Sequence, residues 1–424
     1  DHKLLLAESS VEKQNDEAVK NRAVHDVAVL RKTLEKLDTD IDRTLHVSQL
    51  RLYEANLDPV LRFMHRSNIQ STGWVDAGDT CERADFANVD IDLYCKSWKD
   101  LKPVDNPESA PFVIASVDIE CYSSTGKFPN PNVRNDACFQ IAISLVRFGE
   151  TEPFEKRCLC YKETDKNLDD GSIIEWFPTE KDMLIRFSNY LVEKDTDVIT
   201  GWNIFGFDLE YIIERGHLMS CPLSFFKMSK LKTHVCDLVR KKLSSSALGD
   251  NELKLVPMPG RFIFDLFHEV KREYKLDSYK LDNVSKLYLG DNKIDMAPKE
   301  MFRRYEEEDP VKLREVAEYC IKDTLLPHRL ISKLCTFINL LEMAKATWVP
   351  LSYLVERGQQ IKVFSQLTKK AREMKFKVPT YDYGHTDNTG YVGATVLEAQ
   401  SGAYYTPITA LDFEGLYPSI MMAH

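Results

Sequence analysis

An α/β fold is what this 424-residue sequence predicts, and three features predict it. From about Pro111 to about Thr336, strand-like and helical patterns alternate. The stretch "FVIASV", Phe112 to Val117, is apolar and rich in β-branched residues on both faces, the pattern of a central buried strand. The stretch "DMLIRFSNYLVE" places Met183, Leu184, Phe187 and Leu191 on one face of a helix that must lie against something apolar.

The elements follow in order. Residues 1–48 are charged and helical in part, as in "DVAVLRKTLEKL". Residues 49–108 mix short strand-like runs with polar turns, and "LKPVDNPESAP", with three prolines, marks a boundary loop. In "THVCDLVRKKLSSSALGDNELKLVPMPGRFIF", Thr233 to Phe264, two alternating arms flank a Ser/Gly/Asp/Asn turn, which predicts a long β-hairpin. Asp309 and Pro310 suit the N-cap and first turn of a helix that Pro327 should kink or end. Another helix is expected across "GQQIKVFSQLTKKAREM". The tail from Gly390 returns to strand-like runs, among them Ile408–Leu411, a buried strand ending at Asp412. There is no internal repeat and no low-complexity tract.

Composition narrows the class. The chain is 43% hydrophobic and 29% charged, ordinary for a folded soluble protein, and long enough for two or three domains. No apolar run could span a bilayer and no signal peptide is visible. The ten cysteines are scattered, with only Cys158 and Cys160 close together. That predicts reduced thiols and no structural zinc. A net charge of −10 argues against nucleic-acid binding on totals alone. Totals mislead for a metal-dependent nuclease, which gathers acids in its site and bases in its groove. Two stretches are locally basic, Lys230–Leu243 and Arg357–Lys377, although a solvated face explains each as well.

Three short stretches carry possible chemistry. Asp118 and Glu120 follow the central strand pattern, and period-two alternation points both carboxylates the same way. Two such acids repel unless a cation lies between them. In "DVITGWNIFGFDLEYIIERG" the pattern runs strand, turn, helix. Asp208 falls at the helix start, where the dipole favours an acid, and Asn203 falls in the turn. Trp202, Phe205 and Phe207 flank them and are either core or stacking platforms. In "DPVKLREVAEYCIKDTLLPHRL", Tyr319 and Asp323 are four apart and share a helix face. Each stretch alone also has an ordinary structural explanation.

Together, in this order and on these elements, they resemble the proofreading exonuclease of the DNA polymerases. That family's motifs are Asp-x-Glu, Asn-x-x-x-(Phe/Tyr)-Asp and Tyr-x-x-x-Asp. The resemblance implies a ribonuclease H-like 3′–5′ exonuclease domain in which Asp118, Glu120, Asp208 and Asp323 hold two Mg²⁺ or Mn²⁺ ions about 4 Å apart. Tyr319 would orient the attacking water, and Asn203 and Phe207 would hold the frayed strand. Further on, "YVGATV" resembles the Tyr-x-Gly-(Gly/Ala) element of family B polymerases, which implies DNA contact by Tyr391 and Gly393. "DFEGLYPSI" resembles their motif A, with Glu414 and Gly415 as departures. By that likeness Asp412 would bind metal, and Asp412, Phe413, Leu416 and Tyr417 would meet the nucleotide, the Tyr417 ring packing under its sugar. "LYEANLDPVLRFMHRSNIQSTGW" and "REYKLDSYKLDNVSKLYLG" are most similar to DNA polymerase delta or a large-virus enzyme near it.

The expected organisation is a partial N-terminal domain (1–108), the exonuclease (109–340) and the start of a polymerase palm (341–424). The later polymerase motifs and the cysteine modules of the family are missing, and the first residue is Asp1, so a piece of a longer chain is expected. Such a piece would show exonuclease activity but no templated synthesis. The resemblance implies primer–template DNA and a single-stranded 3′ end as partners, dNTP in the complete enzyme, and a sliding clamp and accessory subunits through the missing regions. It implies a nuclear location in a cell, or the host nucleus or a cytoplasmic replication site for a virus. The other readings are a free-standing ribonuclease H-like exonuclease and a catalytically silent DNA-binding module.

Overall fold

A computed structural model describes residues 28–36, 52–245, 249–291, 296–380 and 395–424. They divide into two compact units, 1–379 and 380–424.

In the first unit, residues 28–36 are helical, as the charged N-terminal pattern predicts. Helix α1 (Pro59–Ser67) is capped by Asp58, whose side chain accepts from Val60 N. Two small ladders follow: β1 (Trp74–Asp76) pairs with β4 (Lys102–Val104), and β2 (Glu82–Arg83) with β3 (Leu93–Tyr94). All their residues are exposed, so neither ladder has a core of its own. The loop joining β2 and β3 is held by backbone bonds from Lys232 N to Phe86 O (2.9 Å) and from Asn88 N to Lys230 O (2.7 Å).

This hairpin corrects the expectation that all thiols are reduced. Cys81 and Cys95 form a disulfide, with Cα atoms 4.5 Å apart. They flank β2 and β3, where the register Glu82↔Tyr94 sets them face to face across the ladder. A separation of 14 residues in an otherwise scattered set carries no such signal in the sequence.

The frame of the unit is a six-stranded mixed sheet. Its strands are β5 (Val113–Cys121), β6 (Cys138–Arg147), β7 (Glu155–Tyr161), β8 (Ile173–Phe177), β9 (Val198–Thr200) and β12 (Phe262–Ile263), in the order β12–β9–β5–β6–β7–β8. β5 is antiparallel to β6 and parallel to β9, so it is an inner strand buried on both sides, as its composition predicts. One face carries Val117, Ile119, Ile141, Ile143, Leu145 and Leu159. Against it packs α2 (Glu180–Glu193) through Met183, Leu184, Phe187 and Leu191, the four residues that periodicity selects. Helix α3 (Asp208–Leu218) lies beside α2.

The opposite face is made of small and polar residues: Ser116, Asp118 and Glu120 on β5, Gln140, Ala142 and Ser144 on β6, Cys158 and Cys160 on β7. Small side chains let a long helix approach the sheet closely. That helix is α7 (Pro310–Lys333), which presents Ala317, Cys320 and Ile321 to Ala142, Cys158 and Cys160. Gln140 Nε2 donates to Leu313 O (2.8 Å) and Ser144 Oγ to Thr324 O (3.2 Å), which sets the position of the helix along the strands. Asp309 caps α7 through Val311 N at 2.9 Å, as expected. The helix does not end at Pro327 but continues to Lys333. Burial of Leu326, Leu330 and Ile331 outweighs the backbone bond that proline removes.

The remaining elements of the unit surround this frame. β10 (Val239–Ser245) and β11 (Gly249–Leu255) form the expected antiparallel hairpin, in register from Val239↔Leu255 to Ser245↔Gly249. Glu210 ties its base to α3, accepting from Arg240 Nη2 (3.0 Å) and Lys254 Nζ (2.5 Å). α4 (Leu266–Glu273), α5 (Leu281–Leu289), α6 (Pro298–Glu307), α8 (Thr336–Thr347), α9 (Leu351–Glu356) and α10 (Gln360–Glu373) complete it. The predicted helix across 358–374 is α10. It holds α1 through a bond between His65 Nε2 and Ser365 Oγ (2.9 Å).

In the second unit, residues 395–415 form neither helix nor strand, and α11 (Leu416–Ala423) follows, its N-cap Gly415 at φ +61°. The strand expected at Ile408–Leu411 is absent. Among the described residues nothing pairs with this run, so its backbone groups lack a ladder and its side chains are exposed.

Candidate active site

The site begins where β5 outruns its neighbour. β9 stops at Thr200, opposite Ser116, so the last rungs of β5 are paired on the β6 side alone. Those rungs carry Asp118, opposite Ala142, and Glu120, opposite Gln140. Both acids face α7. Glu120 is buried and Asp118 is intermediate.

α7 brings up the next group. Tyr319, Cys320 and Asp323 are all buried on it. Cys320 Sγ lies 3.5 Å from Asp118 Oδ2 and 3.6 Å from Asp118 O. One ligand atom each of Asp118, Glu120 and Cys320 lies within 4.8 Å of the other two. Burial, and then the charges of Asp323, Glu120 and Asp118, push the Tyr319 hydroxyl far above the ordinary phenol range. Tyr319 therefore stays a neutral O–H donor in the field of three carboxylates. Burial likewise keeps Cys320 a neutral thiol.

The turn between β9 and α3 supplies the fourth acid. Gly201 lies so close to β5 that an added Cβ would come within 2.4 Å of Val117 O. Asn203 adopts the left-handed conformation (φ +65°), and its side chain folds over Gly206, where a Cβ would meet Asn203 Oδ1 at 2.4 Å. The Asn203 carbonyl accepts from Gly206 N (2.9 Å) and Phe207 N (3.1 Å). The chain then enters α3 with Asp208 as its first residue. Asp208 Oδ1 accepts from Ile119 N at 3.2 Å, the amide between the two strand acids, which the early end of β9 leaves open. Asp208 is buried, and this, together with the charge of Asp265, pushes its carboxyl up to about 8.

The fold thus brings Asp118 and Glu120 together with Cys320, with Asp208 bonded to the Ile119 amide and Tyr319 and Asp323 on the facing helix. Among the described residues Asp208 and Asp323 fall outside the set whose ligand atoms lie within 4.8 Å of one another. Phe207 and Asn203 lie in the turn beside Asp208. Tyr391 and Gly393 lie outside the described residues. Asp412, Phe413, Leu416 and Tyr417 are described in the second unit, all exposed.

Three further residues escape a reading of the sequence. Asp265 is wholly buried and accepts from the turn amides of Asn203 and Phe205. Phe128, on the loop that follows β5, is 77% exposed and sets its ring edge-to-face on Phe207, centroids 5.1 Å apart. Arg215 on α3 is fully buried and holds that same loop through Pro131 O, Val133 O and Arg134 O. Each reaches the turn or loop beside the site from far away in the sequence, so no local pattern reports that contact.

The inner strand of a mixed sheet, a helix N-terminus and a long covering helix carry these acids. Residues 50–284, more than half of the chain, match the family described as DNA polymerase family B, exonuclease domain. Residues 349–424 match DNA polymerase family B. The chain belongs to the family B DNA polymerases, with the exonuclease domain in its ribonuclease H-like fold and the beginning of the polymerase domain. It is similar to a DNA polymerase of Paramecium bursaria Chlorella virus NY2A, 37% identical over 386 residues, which cover 89% of this chain and 42% of that protein. It is also similar to the DNA polymerase delta catalytic subunits of Dictyostelium discoideum (37% over 381 residues) and Oryza sativa subsp. japonica (36% over 378 residues). Those alignments cover 89% and 88% of this chain and 34% of either relative. The chain spans well under half the length of the relatives it matches.

Proposed function

We propose that residues 109–340 remove nucleotides from the 3′ end of single-stranded DNA, and that the longer protein is a replicative DNA-directed DNA polymerase proofread by this activity. One observation supports the reading: Asp118 and Glu120 at the open end of β5 face the helix that carries Tyr319 and Asp323, and Asp208 is bonded to the amide between those two strand acids.

The donor set fits divalent metal. Carboxylate oxygens suit hard ions such as Mg²⁺ or Mn²⁺. A buried Asp208 that resists ionisation gains the compensating charge it lacks. Two such ions, held by the four carboxylates, would supply an activated water and stabilise the leaving 3′ oxygen. The protein's own groups do the rest. Tyr319, a neutral donor, orients the water. Asn203 and Phe207 position the strand, and the small-residue face of the sheet keeps α7 close enough for its acids to reach β5.

Residues 341–424 are the start of the palm in this reading, and residues 1–108 the remainder of an N-terminal domain. Asp412, Phe413, Leu416 and Tyr417 serve nucleotide binding and Tyr391 and Gly393 DNA contact, all in the longer protein. The match to the polymerase family over 349–424 supports this over a free-standing exonuclease. Primer–template DNA, dNTP, a sliding clamp and accessory subunits are its partners, at a nuclear or viral replication site.

The test uses the whole 424-residue chain with a 5′-labelled single-stranded oligonucleotide and Mg²⁺. Shortening from the 3′ end is expected. Asp118→Ala and Asp208→Ala abolish it, while Tyr319→Phe lowers it by roughly 10²–10⁴-fold, the range for a positioned proton-transfer group. Cleavage by Asp118→Ala at the parent rate refutes the site.

A further inference from the structure

The site contains a fifth carboxylate to which the exonuclease reading gives no task. Asp265 follows β12 and caps α4, its Oδ1 accepting from Phe267 N at 3.0 Å. Capping is an ordinary role for an aspartate, but here it is only part of what the side chain does. The same oxygen accepts from Asn203 N (2.8 Å), and Oδ2 accepts from Phe205 N (3.0 Å). These two amides bracket the left-handed turn that leads into Asp208. The residue is wholly buried.

The geometry argues against Asp265 as a metal ligand for a simple reason. A carboxylate offers about four lone-pair directions, and at least three of these are already directed at backbone N–H groups. Its charge is engaged by the turn. Without it, the buried amide of Phe205 and the half-buried amide of Asn203 would lose their acceptor, and the left-handed Asn203 would lose what holds it there. The turn is gripped from both sides: Asp265 binds its amides while the Asn203 carbonyl binds Gly206 N and Phe207 N.

We infer that Asp265 is a positioning residue of the exonuclease site, which binds no metal but fixes the Asn203–Phe205 turn and through it the strand-holding Asn203 and the metal-binding Asp208. The inference rests on the proposed exonuclease reading and adds a residue that this reading does not name. It joins two elements that have no local relation, since Asp265 and Asn203 are 62 residues apart.

The test separates positioning from capping and from ligation. In Asp265→Ser the shorter side chain still caps α4, serine being a good N-cap residue, but no longer reaches the turn. In the full chain its KM for single-stranded DNA and its half-saturating Mg²⁺ concentration should each rise about tenfold or more, as expected for loss of a charge-assisted bond. At saturating DNA and Mg²⁺, kcat should stay within about threefold of the parent. Asp265→Asn keeps the size and one carbonyl oxygen but turns an NH₂ group toward an amide; it should shift the same two constants less. Circular dichroism checks folding, and if the serine variant fails to fold the asparagine variant alone decides. Unchanged constants in a folded variant overturn the inference, as does a loss of kcat that Mg²⁺ does not restore, the behaviour expected of Asp208→Ala. A parent chain without Mg²⁺-dependent cleavage overturns the exonuclease reading instead.

Discussion

Replacing Arg215 by methionine tests what holds the loop beyond the strand acids. The guanidinium is fully buried and its Nε and Nη2 meet the two oxygens of Glu180 at 2.7 and 2.5 Å. Its other donations go to Val133 O (2.7 Å), Arg134 O (3.1 Å) and Pro131 O (3.2 Å). Methionine keeps much of the apolar stem but leaves Glu180 charged and buried. Removing one partner of a buried pair costs about 3–5 kcal/mol. Set against a typical folding stability of about 5–15 kcal/mol, that is a large fraction. Glu180 also accepts from Cys138 N (2.9 Å), a bond that glutamine can keep. Arg215→Met combined with Glu180→Gln should therefore lose less than the two single changes added together. Urea unfolding followed by circular dichroism gives the stabilities. The loop carries Phe128, so KM for single-stranded DNA should rise in the same variant. A loss below about 1 kcal/mol, or a large loss with KM unchanged, would refute the argument that this pair organises the loop for the site.

Three other outcomes follow from the same geometry. Asp208, pushed up to about 8, holds a proton that the unfolded chain loses near the ordinary carboxyl value. The folded state therefore binds more protons, and metal-free stability should fall as pH rises from about 4 towards 8. If Mg²⁺ binds Asp208 as proposed it must displace that proton, so its affinity should tighten by about tenfold per pH unit up to about pH 8, read by thermal shift at several Mg²⁺ concentrations; a flat profile counts against the buried acid. Phe128→Ala should raise KM for single-stranded DNA roughly 5- to 150-fold with little change in kcat, the value of one base stacked on an aromatic ring; an unchanged KM makes the ring a loop ornament. Trimming residues 244–252 of the β10–β11 hairpin should spare cleavage of single strands but slow removal of a mismatched end from a duplex, and equal losses on both substrates would reject a role in strand transfer.

Much of the site is legible in the amino-acid order. Period-two alternation puts Asp118 and Glu120 on one side of an inner strand, and the fold keeps them there. Four-residue spacing puts Tyr319 and Asp323 on one helix face, and Asp309 with Pro310 marks where that helix begins. The hairpin arms and the buried face of α2 are equally plain. These are local signals, carried by residues within a turn or a few rungs of each other.

Where local signals compete with long-range packing, they lose. Pro327 should kink or end a helix, and burial of Leu326 and Leu330 carries α7 past it rather than letting it end there. Ile408–Leu411 has strand composition, yet strand formation needs a partner, and none of the described residues supplies one. Cys81 and Cys95 look scattered until a two-rung ladder sets them opposite each other.

The sequence by itself determined the candidate acids: which they are, on which kinds of element, with which neighbours in the chain. Periodicity can do that because it reports which face of an element is turned inward. It cannot report what that face meets, because the meeting depends on contacts between distant segments. Only the tertiary structure decided that β9 stops short and leaves the Ile119 amide to Asp208. It alone decided that a small-residue sheet face draws α7 close, that Arg215 holds the loop of Phe128, and that Asp265 grips a turn 60 and more residues away.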